Sequence, residues 1–366
     1  MELPTLWIVC GLGFVLGVAF GATAQRTNFC TMGAISDMVF MDEWNRMRAW
    51  MLAIAVAIAG SQALHLAGLV NLNKSIYLTA NLGWSGAILG GLLFGFGMTM
   101  TGGCGNKTLV RLGAGNLKSL LVGLVMGVFA YMTVRGLIGL ARVELEAVTN
   151  VDLAAKGLKA QGLPDFLAAA TGMGAEAARG AIAAVVVVLL LAFCFKSAEF
   201  RASKRDIAGG AILGALIPAA WYITGVVGFD EFEPTALSSV SFVNPVGESI
   251  QYLMTFTGAT INFGIAVVGG VIVGSFIAAK SAGEFRIEAF SDGNDMLRHI
   301  FGAAIMGVGG ILSLGCTIGQ GLSGMSTLAF GSVRALASII TGGVYGMKYL
   351  EEGSLGGALK AMFQRG

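Results

Sequence analysis

The pattern Gly-x3-Gly-x8-Cys closes three apolar, glycine-spaced segments of this chain. Gly17, Gly21 and Cys30 make the first copy, and Gly91, Gly95 and Cys104 the second. A later copy has Ala303 for the first glycine, followed by Gly307 and Cys316. One more begins at Gly210 and Gly214 but carries Ile223 where the cysteine belongs. A chain that repeats one unit and keeps a thiol in three of four copies is expected to bring those thiols together.

The segments belong in a bilayer. Of 366 residues, 55% are hydrophobic and only 12% charged, about half the charged share of a soluble domain. Residues 4–24, 49–70, 83–101, 117–135, 181–196, 207–227, 257–279, 299–314 and 333–348 are the candidate spans. Several are near the short end of what crosses ~30 Å of hydrocarbon. The expectation is an all-α polytopic membrane protein of about nine transmembrane helices plus short half-membrane helices. The 56 glycines suit close helix packing, as at Gly86, Gly90 and the Gly269–Gly274 stretch. A net charge of +2 gives no electrostatic support for nucleic acid.

Basic loops orient the spans. Lys196, Arg201, Lys204 and Arg205 mark one inner loop, Lys280, Arg286 and Arg298 a second, and Arg46 and Arg48 a third. The 228–250 connection holds Asp230, Glu231, Glu233 and Glu248 with no Lys or Arg, and reads as external. The first segment has Glu2 and no basic n-region, so it reads as a retained helix rather than a signal peptide. The N-terminus is then outside and the C-terminus, with a 351–366 tail, inside. The 136–180 connection is external, with an amphipathic surface helix expected in it. Residues 1–135 and 207–350 form two halves of a single membrane domain, joined by 136–206. Gly90, Gly95, Gly97, Gly103 and Cys104 map onto Gly302, Gly307, Gly309, Gly315 and Cys316 at a constant offset of 212. Five crossings precede the second half, so the halves are expected to be inverted, an architecture of secondary transporters.

Each cysteine lies where a helix cannot comfortably continue. Residues 102–106 read Gly-Gly-Cys-Gly-Asn, 315–319 read Gly-Cys-Thr-Ile-Gly, and 27–31 read Thr-Asn-Phe-Cys-Thr. Irregular backbone at membrane depth must be buried or line a cavity. Helix N-termini at such breaks offer free N–H groups and a partial positive charge suited to an anion. A polarizable thiol favours a soft, sulfur-containing anion over a strongly hydrated one. Cys30, Cys104 and Cys316, with Gly103, Gly105, Asn106, Gly315, Asn28 and Gln320, are therefore the candidate substrate contacts. Asn28 and Asn106 also read as half-helix caps. Arg26, Lys107 and Arg111 are the cations nearest the breaks and the candidate electrostatic entrance. Cys10 and Cys194 sit in plain apolar runs and read as packing residues. The cysteine spacing is neither a disulfide framework nor a zinc site. His65 and His299 are isolated, no nucleotide loop is present, and no cofactor is implied.

The segments QRTNFCTMGA (25–34), GFGMTMTGGCGNKTLVRLGAGNLKSL (95–120) and GVGGILSLGCTIGQGLSG (307–324) resemble the YeeE/YedE sulfur-transport family. The resemblance implies a bacterial inner-membrane protein, hourglass-like, that imports thiosulfate. It carries three essential cysteines over onto Cys30, Cys104 and Cys316, as a relay without a lasting covalent bond. It also implies cooperation with a small TusA-like cytoplasmic sulfur carrier. A related branch is linked to selenium. The residues leave two other classes open: a membrane sulfurtransferase holding a cysteine persulfide, and a soft-metal transporter using Cys and Met ligands.

Overall fold

Long helices that stop short, kink and restart build the whole molecule. The computed structural model describes residues 5–230 and 235–363. Glu231 and Glu233 of the acidic connection lie outside the described residues. Four successive segments share one plan: a long helix, a break, a short helix, and a second long helix. The first is α1 (Thr5–Thr27), α2 (Thr31–Phe40) and α3 (Asn45–Leu66). The second is α4 (Trp84–Met100), α5 (Gly105–Gly113) and α6 (Leu117–Arg135). Then come α7 (Leu137–Thr149), α8 (Leu163–Thr171), α9 (Ala175–Lys196) and α10 (Ala198–Ala202). The third segment is α11 (Lys204–Tyr222), α12 (Val243–Met254) and α13 (Phe263–Ser281). The fourth is α14 (Gly293–Leu312), a short helix over 317–326 with a π-helical centre at Gly319–Gly324, and α15 (Phe330–Glu352). α16 (Leu355–Phe363) follows.

Among the described residues, eight helical segments are long and apolar enough to cross a membrane, and the chain is a multi-pass membrane protein. The expected ninth span, 333–348, lies within α15. At 23 residues it is long enough, but Arg334, Ser332, Ser338 and Thr341 dilute its apolar character. The expected span from 257 starts later, at Phe263, because the Asn262 side chain caps α13 by accepting the Ile265 N–H at 2.9 Å.

The segments pair reciprocally. α1 packs on α13 while α3 packs on α11; α4 packs on α15 while α14 packs on α6. Exchanging the first two segments with the last two leaves this pattern unchanged, which is the mark of a two-fold relation between them. Small residues permit the approach. A Cβ at Gly21 or Gly274 would overlap a carbonyl oxygen of the facing helix, Val271 or Val18. Gly95 meets the Ile339 carbonyl and Gly343 in the same manner.

The short helices diverge in pairs from one level. A Cβ on Gly105 would stand 3.6 Å from the Met126 sulfur and 3.7 Å from Phe242 Cβ. From there α5 descends along the first half of α6, with Thr108 opposite Gly123. α12 leaves Phe242 along the second half, with Val246 and Gly247 against Gly127. Likewise Phe29 stacks on Trp50 at 4.8 Å, and α2 runs back toward the start of α3, where Asp37 meets Arg46. Midway along the 317–326 helix Gly321 faces Trp50, and the helix ends where the Ser326 carbonyl accepts from Gln62. All four short helices thus point their N-termini at the centre. α2 and α5 end on the face that carries the Lys280–Arg298 loop, linked to α5 through the Asn116–Glu288 bridge. We call this the basic face.

In the third segment the repeat slips. Ile223 does not break a helix, because α11 continues through a π-helical turn, Ile223–Val227. The break falls just before α12, whose capping position is Phe242. Phe242, not Ile223, stands where the other segments place cysteine. The 136–180 connection holds α7, with Leu137, Leu140, Val143 and Val148 exposed, and α8.

Candidate functional site

Each of the three repeat cysteines is the residue that opens a short helix. Cys30 caps α2, its sulfur accepting the Gly33 N–H at 3.5 Å. Cys316 does the same for the 317–326 helix, accepting the Gly319 N–H at 3.4 Å. Cys104 precedes α5 with extended backbone, and the Lys107 amide faces its sulfur without closing a cap bond. The expectation that Asn106 caps a half-helix is overturned, because it is already inside the first turn of α5. Asn28 does cap a helix, but α1 and at its C-terminus: its left-handed backbone, φ 53°, lets the Phe29 N–H reach the Ala24 carbonyl at 3.2 Å. At the N-termini of the short helices cysteine holds the capping positions.

The thiols are buried together. Cys104 and Cys316 are fully buried and Cys30 nearly so. Cys104 lies within electrostatic range of both Cys30 and Cys316, so the three thiols form one group. The Thr317 hydroxyl lies beside the Cys104 sulfur. Tyr77 lies beside Cys316, and a Cβ on Gly319 would come 2.8 Å from Ser241 Oγ. Cys10 and Cys194 are buried elsewhere; the Cys194 thiol donates to the Arg48 carbonyl at 3.2 Å.

Buried polar atoms around the thiols lack partners. Thr31 Oγ1, both side-chain heteroatoms of Asn106, Thr317 Oγ1 and Gln320 Oε1 make no hydrogen bond within the protein. Leaving such a group unpaired costs about 1–3 kcal/mol. Several at one spot, beside helix N-termini, describe a site shaped for a polar guest. Gln320 Nε2 is used internally, donating to the Ser313 carbonyl.

The remaining candidates divide. Gly103 abuts the Lys107 stem, where a Cβ would come 3.1 Å from Lys107 Cβ. Gly105 follows Cys104 directly at the start of α5. Gly315 lines a cavity of about 440 Å³ that opens away from the basic face, walled by Tyr77, Trp221, Ser241, Asn244 and Glu248 among others. Lys107 is buried and donates to Asn28 Oδ1. Arg111 donates to the Gly102 carbonyl at 2.8 Å. Arg26 is not brought to the thiols: it bonds Ser281 at 3.1 Å on the exposed surface. Thr31, Thr317, Tyr77, Ser241 and Phe242 went unnoticed in the sequence. A Cys-Thr dipeptide at 30–31 and 316–317 was a readable signal for the first two; the others carry none. Among the described residues, no group of His, Cys, Asp and Glu is arranged to hold a metal.

The family described as sulphur transport matches residues 26–345. The chain belongs to that family. It is 27% identical over 332 residues to the thiosulfate transporter TsuA of Escherichia coli (strain K12), covering 85% of this chain and 86% of that protein. To the thiosulfate transporter TsuA of Spirochaeta thermophila it is 26% identical over 325 residues, 87% of this chain and 92% of that one. The probable transporter YedE of E. coli matches over only 116 residues, at 31% identity, covering 31% of this chain and 27% of that protein. The protein is thus a sulfur transporter of the membrane rather than an enzyme.

Proposed function

We propose that this protein takes up thiosulfate across the bacterial inner membrane, passing it from Cys316 to Cys104 to Cys30. One observation carries the reading: the Cys104 thiol lies near both others where helix N-termini and several partnerless polar side chains meet. Thiosulfate fits each part. Its terminal sulfur is soft and accepts from S–H groups; its oxygens accept from N–H, hydroxyl and amide donors. Thiols bind such a guest weakly enough to release it, as a conduction path demands. The two TsuA relatives, thiosulfate transporters matched over most of their length, support the substrate.

In this reading the basic face is cytoplasmic by the positive-inside rule, with the N-terminus periplasmic and the C-terminus inside. Residues 1–135 and 207–350 act as inverted halves of one membrane domain. A TusA-like carrier receives the cargo on the cytoplasmic side. The test is uptake of sulfur-labelled thiosulfate into proteoliposomes. Unlabelled thiosulfate should compete and sulfate, a harder anion, should not. Undiminished uptake by a variant with serine at 30, 104 and 316 would rule out the relay. A stable sulfur adduct on one cysteine during turnover would replace it with covalent transfer.

A further inference from the structure

The cations on the basic-face side of the thiols are not balanced by carboxylates. Lys107 is buried, 8% exposed, within the first turn of α5. Its ammonium lies in electrostatic range of Cys30 and Cys104, and also of Arg111 and Arg46. Its one hydrogen bond is to a neutral amide, Asn28 Oδ1. Arg46 reaches the same spot, donating to the Asn28 carbonyl at 3.3 Å and to Asp37 at 3.0 Å. Arg111 is held by a backbone carbonyl. Among the described residues the ion pairs include Arg46–Asp37 but none with Lys107 or Arg111. Asp206, on the far wall of the small cleft beside Cys30, is engaged by Ser203. Three cations therefore face two carboxylates, Asp37 paired with Arg46 and Asp206 held by Ser203, and neither forms an ion pair with Lys107. A buried ammonium with only an amide for company is costly unless an anion visits it.

Resting on the thiosulfate reading, we infer that Lys107, Arg46 and Asn28 form a separate anion station between Cys30 and the basic face, for the charged oxygen end of a small oxyanion. When empty, the Lys107 ammonium parks on Asn28, whose left-handed backbone projects it from the α1–α2 break. When the cargo's soft sulfur rests on Cys30, its oxygens displace Asn28 from the ammonium. The station rewards charge, whereas the thiols reward softness. Selectivity thus has two independent components, set by different residues. No proton or electron changes hands: the step is an exchange of one hydrogen-bond acceptor for another.

The experiment uses the full-length protein with Cys30 as the sole cysteine, in membrane vesicles with the basic face outward. The ratio of Cys30 labelling rates by an anionic and by a cationic methanethiosulfonate reagent reports the local field without needing transport. Lys107→Met should lower that ratio at least about tenfold, the scale of one lost charge-assisted contact. Lys107→Arg should preserve it. Asn28→Asp, which supplies the missing carboxylate while keeping the lysine, should lower it like Lys107→Met. In the cysteine-intact protein, Lys107→Met should raise the KM for thiosulfate by about the same factor. An unchanged ratio in both Lys107→Met and Asn28→Asp overturns the station. Absence of uptake by the wild-type protein, with the ratio still dependent on Lys107, overturns the thiosulfate reading and leaves the station standing.

Discussion

On one side of Cys104 the chain places Lys107, Arg46 and Arg111; on the other it places Tyr77, Ser241, Trp221 and the large cavity, mainly apolar with a few hydroxyls and amides. The backbone device is the same on both sides. Cys30 and Cys316 each cap a short helix by taking the amide three residues on, at 3.5 and 3.4 Å. The repeat supplied a symmetric scaffold, and the side chains around it diverged. A roomy approach needs few charges, because breadth lets an anion keep its water. A narrow, buried end strips that water and must replace it with fixed positive charge. The two ends therefore differ in chemistry and not in fold.

The largest expected effect tests the one break that lacks a thiol. Phe242 is fully buried and packs edge-to-face on Phe20 at 5.2 Å. It fills the position that sulfur fills in the other three segments. Phe242→Ala should cost about 3–5 kcal/mol of stability, read as a lowered melting temperature in detergent. Phe242→Leu, which keeps most of the volume, should cost far less. Equal stability of Phe242→Ala and wild type would mean that this break is not closed by packing, and the two sides would be more alike than described.

Next in size is the Cys104 thiol. Cys104 lies near both other thiols, with the Thr317 hydroxyl on one hand and Lys107 on the other. Cys104→Ser should reduce thiosulfate uptake about 10- to 100-fold, the scale of one or two charge-assisted contacts. Cys10→Ser and Cys194→Ser should leave it unchanged. If Cys194→Ser matched Cys104→Ser, the distinction between central and outlying cysteines would fail. Glycine packing should respond through stability instead. Gly95→Leu drives a side chain into the Ile339 carbonyl and the Gly343 backbone, which should lower the yield of folded protein by about 1–3 kcal/mol of overpacking strain.

Much of this arrangement was legible in the residues, for identifiable reasons. Long apolar runs fixed where helices lie, because the bilayer tolerates little else. The offset of 212 tied Cys104 to Cys316 because both breaks share their glycines. What failed were inferences from a single residue type. Asn106 looked like the cap of α5, yet the capping position fell to cysteine, whose sulfur accepts an amide less strongly but leaves a thiol at the centre. Ile223 looked like the lost cysteine, yet α11 absorbs it in a π-helical turn, and the break shifts to Phe242, where no glycine cluster marks it. Arg26 looked like an entrance charge, yet helix α1 rotates it onto Ser281. Rotation about a helix axis decides such placements, and tertiary packing sets that rotation. The partnerless atoms of Asn106 and Thr317 were invisible for the same reason: an unmade bond appears only once every neighbour is in place.

The smallest expected effect lies on the wide side. Glu248 lines the large cavity, its two carboxylate oxygens each accepting from an amide at 2.8 Å, Asn244 on one and Asn262 on the other. Arg142, on the same wall, is engaged by Glu146 at 2.9 and 3.0 Å and does not offset it. An incoming anion therefore meets a negative charge softened by amides and water. Glu248→Gln removes that repulsion: the remaining side-chain oxygen can keep the Asn262 donor, whose own oxygen caps α13, and the Asn244 amide can flip to present its oxygen to the new donor. The KM for thiosulfate should fall about two- to fivefold at low ionic strength, the scale of one solvated charge interaction. The gain should vanish above roughly 0.5 M salt as screening shortens. Lys107→Met shifts KM in the opposite direction and, being buried, should keep most of its effect in salt. The two variants together read the contrast directly: a screened, weak field on the wide side and an unscreened, strong one beside Lys107. Loss of uptake in Glu248→Gln would instead give the carboxylate a direct task in transport, such as carrying a coupled proton, and the wide side would no longer be the passive one.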